Sequence, residues 1–227
     1  MKQWRKYVVL LSLTTFRPAD ITFLVEYCKV MKPIATALDK LQGENNCYAG
    51  FIVPAIISLT NRLQALKQEV RYCPPLVDAV LTGIQRRFGD SLKSDDLIVA
   101  AVTLPQCRLR WCADDTSREC ARNLLKCEMT RVQSHLPAED TNSNQPVDAD
   151  TDDDFYIFSE DSTSSSTVGI DQELEAYLND DSKSLNCLMK YPVVKEVFVK
   201  YNTGIPSSAP VERMFSAGGQ IFTPRRN

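Results

Sequence analysis

Few residues of this chain are spaced to do chemistry. The stretch SSAPVERMFS, residues 207–216, sets the Glu212 carboxylate beside the Arg213 guanidinium, between Val211 and the apolar pair Met214 and Phe215. A carboxylate there is either a catalytic acid that needs partners or a charge at the start of a packing helix. The other reactive groups are eight cysteines (28, 47, 73, 107, 112, 120, 127 and 187) and one histidine, His135. Cys107, Cys112, Cys120 and Cys127 run toward His135, but none of their spacings is a zinc spacing. Eight thiols over 227 residues are too sparse for a disulfide-stapled secreted domain, and several fall within apolar helical patterns. They read as reduced thiols acting as small hydrophobes. Neither a metal nor a cofactor is expected.

The elements that would position Glu212 come next. Ser207 or Ser208 suits an N-cap, Pro210 a first helical turn, and Gly218 or Gly219 a stop. Glu212 then sits at the positive end of the helix dipole, which favours its charge. A helix this short is not stable alone, so its apolar face must dock on something. Just upstream, KYPVVKEVFVKYNTGIP is rich in valine. Val194, Val197, Phe198 and Tyr201 nevertheless recur at three and four, and Pro192 suits a helix start, so the segment is read as a helix.

The first half also reads as helices. Asp20 caps a helix whose stripe is Ile21, Leu24, Cys28, Met31, Ala35 and Leu38, with a kink or break expected at Pro33. GFIVPAIISLTNRLQALK repeats the period through Ile52, Ile56, Leu59, Leu63 and Leu66. PPLVDAVLTGIQRRF repeats it through Leu76, Val80, Leu81, Ile84 and Phe88. Three such helices in a row predict a helical bundle. SDDLIVAAVTLP is apolar nearly all round and is expected to be buried. TSRECARNLLKCEMTRV should pack through Cys120, Leu124, Cys127 and Val132. The basic, then apolar, start MKQWRKYVVLLSLTTF is read as a helix or buried strand, because no small-x-small cleavage site follows it. No stretch approaches the ~20 apolar residues of a membrane span.

Charge divides the chain. Net charge is −3, yet residues 138–167 hold nine acids and no Lys or Arg, leaving the remainder at +6. Such composition predicts a disordered acidic linker over 137–169. Within it the island Phe155, Tyr156, Ile157 and Phe158 is flanked by acids. It could dock back on its own body, or add a strand to a partner's sheet edge. In the second role it resembles a SUMO-interacting motif. TDDD and SEDSTSSS look like acidophilic kinase sites. Beyond the linker, Asp171 is expected to cap a helix with Leu174, Tyr177 and Leu178 facing inward.

The C-terminal residues carry a resemblance. YP, then KYNTGIPSSAPVERMFSAGGQIFTPRRN, is similar to the C-terminal dimerisation region of hAT-superfamily transposases and the BED-zinc-finger host proteins derived from them. The likeness runs over 191–227, most sharply in Ser207-Ser208-Ala209-Pro210, Glu212-Arg213, Phe215-Ser216 and Gly218. MKPIATALDKLQGENNCYAGFIVPAIISL and AAVTLPQCRLRWC resemble, more loosely, the segments that precede that region. The family has a ribonuclease-H-like core split by a helical insertion. Two Asp on core strands and a later Glu bind divalent metal, and Glu212 matches the position of that Glu. The matched segments carry no counterpart of the Asp pair, and two-metal chemistry needs all its ligands. A BED finger and the tryptophan pair usual before YP are missing too, and the likeness stops short of a further leucine-rich helix, which leaves the family's dimerisation surface incomplete.

The expectation is a mainly α protein: a helical bundle plus C-terminal helices of a split ribonuclease-H-like fold, joined by the acidic linker. Its domains would be 1–136, an insertion-like helical region; 137–169, the linker; and 170–227, a truncated dimerisation region. The resemblance implies no catalysis, Glu212 as a remnant, and a nuclear location. It implies dimerisation with another copy or a related hAT-type protein through Val194, Val197, Phe198, Tyr201, Val211, Met214 and Phe215. Two rivals stand beside this reading. One is a DNA-binding protein, with Arg213, Arg225 and Arg226, and further Arg86, Arg87, Arg108 and Arg110, on phosphates. The other is a fragment of an active transposase. No membrane partner is expected.

Overall fold

The computed structural model describes residues 16–43, 47–135 and 163–204, together with Pro206, Ser208, Glu212 and Ser216. Every element among them is helical, as the periodicity predicts. Helix α1 spans Pro18–Leu41, α2 Ile52–Lys67, α3 Pro74–Phe88, α4 Asp95–Thr103, α5 Asp115–His135, α6 Thr163–Asn179 and α7 Pro192–Asn202. Short 3-10 turns lie at Ala49–Phe51, Ser91–Lys93 and Leu185–Lys190. Packing groups the described residues of 1–47, 55–92 and 207–227 into one unit, and those of 48–54 and 93–206 into another. That grouping runs across the boundaries expected from composition, because 170–206 share a core with 93–135.

In the first unit, Val30 of α1, Leu63 of α2, and Val70, Cys73 and Val77 around the start of α3 form a buried cluster. Pro74 opens α3, where its missing N–H is no loss. The Glu26 carboxylate accepts the backbone N–H groups of Tyr72 at 2.6 Å, Arg71 at 3.0 Å and Cys73 at 3.3 Å. Desolvation opposes that charge, but the three backbone donors outweigh it and hold the carboxyl below its usual range. Glu26 thereby ties α1 to the α2–α3 turn.

Two expectations for α1 are corrected. The helix continues through Pro33, so of the kink or break expected there the break does not occur. Its predicted stripe is also not the face packed here: Val30 is buried, whereas Ile21, Leu24, Cys28, Ala35 and Leu38 are exposed. α1 is apolar on two sides, and periodicity alone selects the wrong one. Asp20 sits at the third helical position, where its carboxylate accepts the Arg17 N–H at 2.8 Å.

The second unit is built around α4. Val99, Ala100, Ala101, Val102, Thr103 and Leu104 are all essentially without solvent contact. Helices α5, α6 and α7 surround it through Ala121, Leu125, Met129, Ile170, Leu174, Tyr177, Val194 and Val197. The Tyr177 hydroxyl donates to the Val102 carbonyl at 3.0 Å, giving the buried phenol a partner.

Here too the sequence reading needs correcting. The packed face of α5 is Ala121, Leu125, Glu128 and Met129, while Cys120 and Cys127 are exposed. Leu124 and Val132, from the same expected face, do pack against this core. Helix α6 starts at Thr163, inside the expected linker, so Asp171 is not its cap. Asp171 lies mid-helix and pairs with Lys126 of α5 at 2.6 Å. None of the eight cysteines is joined in a disulfide. The stretch Ala49–Lys67 reaches mean hydropathy 1.2, long and apolar enough by composition to cross a membrane. Its Arg62 and Lys67 face out, while Val53, Ile56 and Leu63 are buried.

Candidate functional site

Helix α7 carries Val194, Val197, Phe198 and Tyr201, four of the residues that the resemblance singles out, so its setting decides which of them are available. Tyr191 precedes it and Pro192 is its first residue. The open Val194 N–H is taken by the Glu173 carboxylate of α6 at 2.9 Å. Burial pushes the Glu173 carboxyl above its usual range, and the backbone donors of Val194 and Val193 only partly offset it. The Tyr191 hydroxyl reaches the Asp180 carboxylate at 3.1 Å.

Val194 and Val197 are completely buried against α4, α5 and α6. They hold the helix to its own core and present nothing outward. Phe198 lies at the edge, its ring 5.4 Å from that of Tyr48 in an edge-on arrangement. Tyr201 is half-buried, and its hydroxyl donates to the Glu128 carboxylate at 2.6 Å. Of the apolar α7 residues, Val199 is the one that faces solvent, 46% exposed. Met189, in the turn before α7, is 71% exposed. Neither was singled out from the sequence, although 199 falls on the face opposite 194 and 197.

Two polar clusters fix α7, and both were missed. Glu128 of α5 receives Tyr201, Lys200 Nζ at 3.0 Å and Arg131. Burial works against this carboxylate, but the Tyr201 and Lys200 hydrogen bonds and the Lys200 and Arg131 charges prevail and keep its carboxyl below the usual range. At the helix end, Asn202 is buried. Its Nδ2 donates to Ala100 O and Thr103 Oγ1, both at 3.1 Å, and its Oδ1 accepts the Gly50 N–H at 2.9 Å. The only signals in the sequence are an acid within an apolar α5 face and an Asn at a position that suits a helix stop.

Glu212 is exposed, and its N–H donates to Ser208 O at 2.9 Å. The Ser208 hydroxyl donates to the Glu212 carboxylate. That is a local contact between residues four positions apart. Val211, Arg213, Met214, Phe215, Arg225 and Arg226 lie outside the described residues, as do Phe155, Tyr156, Ile157 and Phe158.

Among the described residues no group of three or more His, Cys, Asp or Glu side chains converges as a metal site would require. Of the arginines considered for phosphate contact, Arg86, Arg87 and Arg110 are exposed. Arg108 is not available: it is buried, over the Tyr177 ring at 4.9 Å, and bonded to Pro105 O at 3.1 Å. It also adopts a φ of 44°, rare for a side chain with a Cβ. A shallow cleft between α2 and α3, of about 300 Å³, is lined by Thr60, Asn61, Gln64 and Gln85 with apolar neighbours, none of them charged. No family model, curated protein or solved structure matches this chain.

Proposed function

We propose that this chain is a transposase-derived helical protein whose activity is self-association through residues 191–227. Two things support the reading. One is the resemblance of that segment to the hAT dimerisation region. The other, and the observation that carries it, is the geometry of α7: its inner face is held by Val194, Val197 and Asn202, yet Val199 and the neighbouring Met189 stand exposed. A helix so rigidly seated can offer an outward apolar contact without rearranging. The partner is a second copy or a related hAT-type protein. Residues 155–158 remain proposed as a SUMO-type contact, and a nuclear location goes with the same reading.

The finer fold belongs to this proposal as well: α1–α5 would be insertion-type helices, and α6 and α7 C-terminal helices of a split ribonuclease-H-like fold. In this reading Glu212 is a carboxylate left from a metal site, and the Ser208 contact gives it a structural role. No cofactor is required.

The test is sedimentation of the full chain at tens of micromolar, with circular dichroism alongside. Val199→Glu with Met189→Glu places charge on side chains that the fold already exposes, so helicity should persist. The mass-average molar mass should drop, and Phe215→Asp should lower it likewise. A wild-type chain that sediments as a monomer would overturn the proposal. The DNA-binding rival predicts instead a DNA affinity that falls steeply with salt and rises when 138–167 is deleted.

A further inference from the structure

The exposed stripe of α1 has a spacing that ordinary surface side chains lack. Ile21, Leu24, Cys28, Met31, Ala35 and Leu38 follow one another at intervals of three, four, three, four and three. That is the a/d repeat of a coiled-coil seam, sustained over most of a 24-residue helix. The opposite face of α1 already packs, through Val30 and Glu26. Among the described residues the seam is largely uncovered: Ile21 is 52%, Leu24 41% and Leu38 49% exposed, Met31 is half-buried, and Val25 and Tyr27 are exposed beside it. Contiguous apolar surface of this kind marks an interaction site.

Side-chain volumes say which occupant fits. Laid antiparallel on a second copy about a two-fold axis between positions 29 and 30, the seam forms complementary layers. Ile21 meets Leu38 of the second copy, Leu24 meets Ala35, and Cys28 meets Met31; each layer then repeats by symmetry. Every small residue faces a larger one, as close packing requires. A parallel, in-register pair would set Ala35 against Ala35 and leave a void there, while Leu24 met Leu24.

The flanks agree. In the antiparallel pair Tyr27 lies beside Ile34, and Val25 beside the aliphatic stem of Lys32, whose ammonium reaches water. No like charges face one another. The helix dipoles oppose, which is favourable. A two-fold contact also uses the same patch on both copies, so one surface suffices. We propose that α1 pairs two copies of this chain as an antiparallel helix pair. This contact is separate from the one at 191–227 and does not rest on it.

Disulfide trapping in the full chain tests this. With Cys28→Ser, Leu24→Cys and Ala35→Cys combined, mild oxidation should give covalent dimers whose peptides join positions 24 and 35. Within one copy those positions are about 16 Å apart along the helix, beyond disulfide reach, so the link must be between copies. Leu24→Cys alone or Ala35→Cys alone should give no same-site link. Adding Leu38→Glu should reduce linking at least tenfold without loss of helicity. The result should hold equally with Phe215→Asp, which separates this contact from the C-terminal one. Links joining 24 to 24 would overturn the antiparallel pairing. An absence of links, with position 24 protected from thiol reagents, would mean that another segment of the same chain covers the seam. Its absence with position 24 freely reactive would mean that nothing covers it. Either result overturns the proposal.

Discussion

The side-chain oxygen of Asn202 accepts the backbone N–H of Gly50 at 2.9 Å, joining residues 152 positions apart. Gly50 must be glycine for this to happen. A Cβ there would stand 2.2 Å from the Ala100 carbonyl oxygen and 2.6 Å from Leu104 Cδ1. The bond, together with the two Asn202 donors to α4, locks the end of α7 onto the centre of its unit. Asn202→Leu should destabilise the protein by about 2–3 kcal/mol, because it strands buried partners. Gly50→Ala should cost about 1–3 kcal/mol through overpacking. Chemical denaturation measures both. Losses under 0.5 kcal/mol would mean that this junction does not secure α7.

Glu128 makes stability depend on acid. Its folded carboxyl titrates below the unfolded value of about 4.3, because Tyr201, Lys200 and Arg131 hold the charge against burial. The stabilisation is therefore complete above that unfolded value and is lost as pH falls through the lower folded one. Glu128→Gln should destabilise at neutral pH by about 1.5–3 kcal/mol, the range for hydrogen bonds to a charged group. The gap from wild type should close below about pH 4. A gap unchanged from pH 7 to pH 3 would count against the assignment.

Glu173 has the opposite sign. Burial raises its carboxyl, so ionising it costs stability as pH climbs from the unfolded value through the higher folded one. Glu173→Gln keeps an acceptor for the Val194 N–H and removes that cost. It should leave neutral-pH stability unchanged or improved. Glu173→Ala loses the cap and should cost about 1 kcal/mol. Thermal melts at two pH values separate the pair; equal losses in both variants would show that the cap contributes nothing.

Helix existence was legible because period and proline placement are local signals. KYPVVKEVFVKYN declares a helix despite its valines, and Pro74–Pro75 open α3 as their φ and missing donors dictate. Which face packs was less legible. α1 carries apolar residues on two sides, and only tertiary contact selects Val30 over Ile21 and Leu24. Cys120 and Cys127 look apolar by type, yet the groove on α5 accepts Ala121 and Leu125. The polar anchors Glu128, Glu173 and Asn202 were illegible, because a buried acid or amide is recognisable only once its donors are in place. Arg108 illustrates the same limit: its charge suggested phosphate, and its Tyr177 and Pro105 contacts bury it.

The Glu212 contact with Ser208 predicts a silent position. Glu212→Ala should lower helicity slightly, if at all, and should alter neither divalent-metal affinity nor self-association. Calorimetric titration with Mn²⁺ and sedimentation report the two. Metal-dependent DNA cleavage by the purified chain, lost in Glu212→Ala, would make Glu212 catalytic instead.

The proposed self-association through 191–227 is best isolated by removing the contact proposed for α1. Leu24→Glu with Leu38→Glu charges the α1 seam at exposed positions and leaves the C-terminal region untouched. Sedimentation equilibrium of that chain at tens of micromolar should give a dimer. Adding Phe215→Asp should give a monomer of unchanged helicity. A monomer before Phe215→Asp is added, or a dimer that persists after it, would contradict the account.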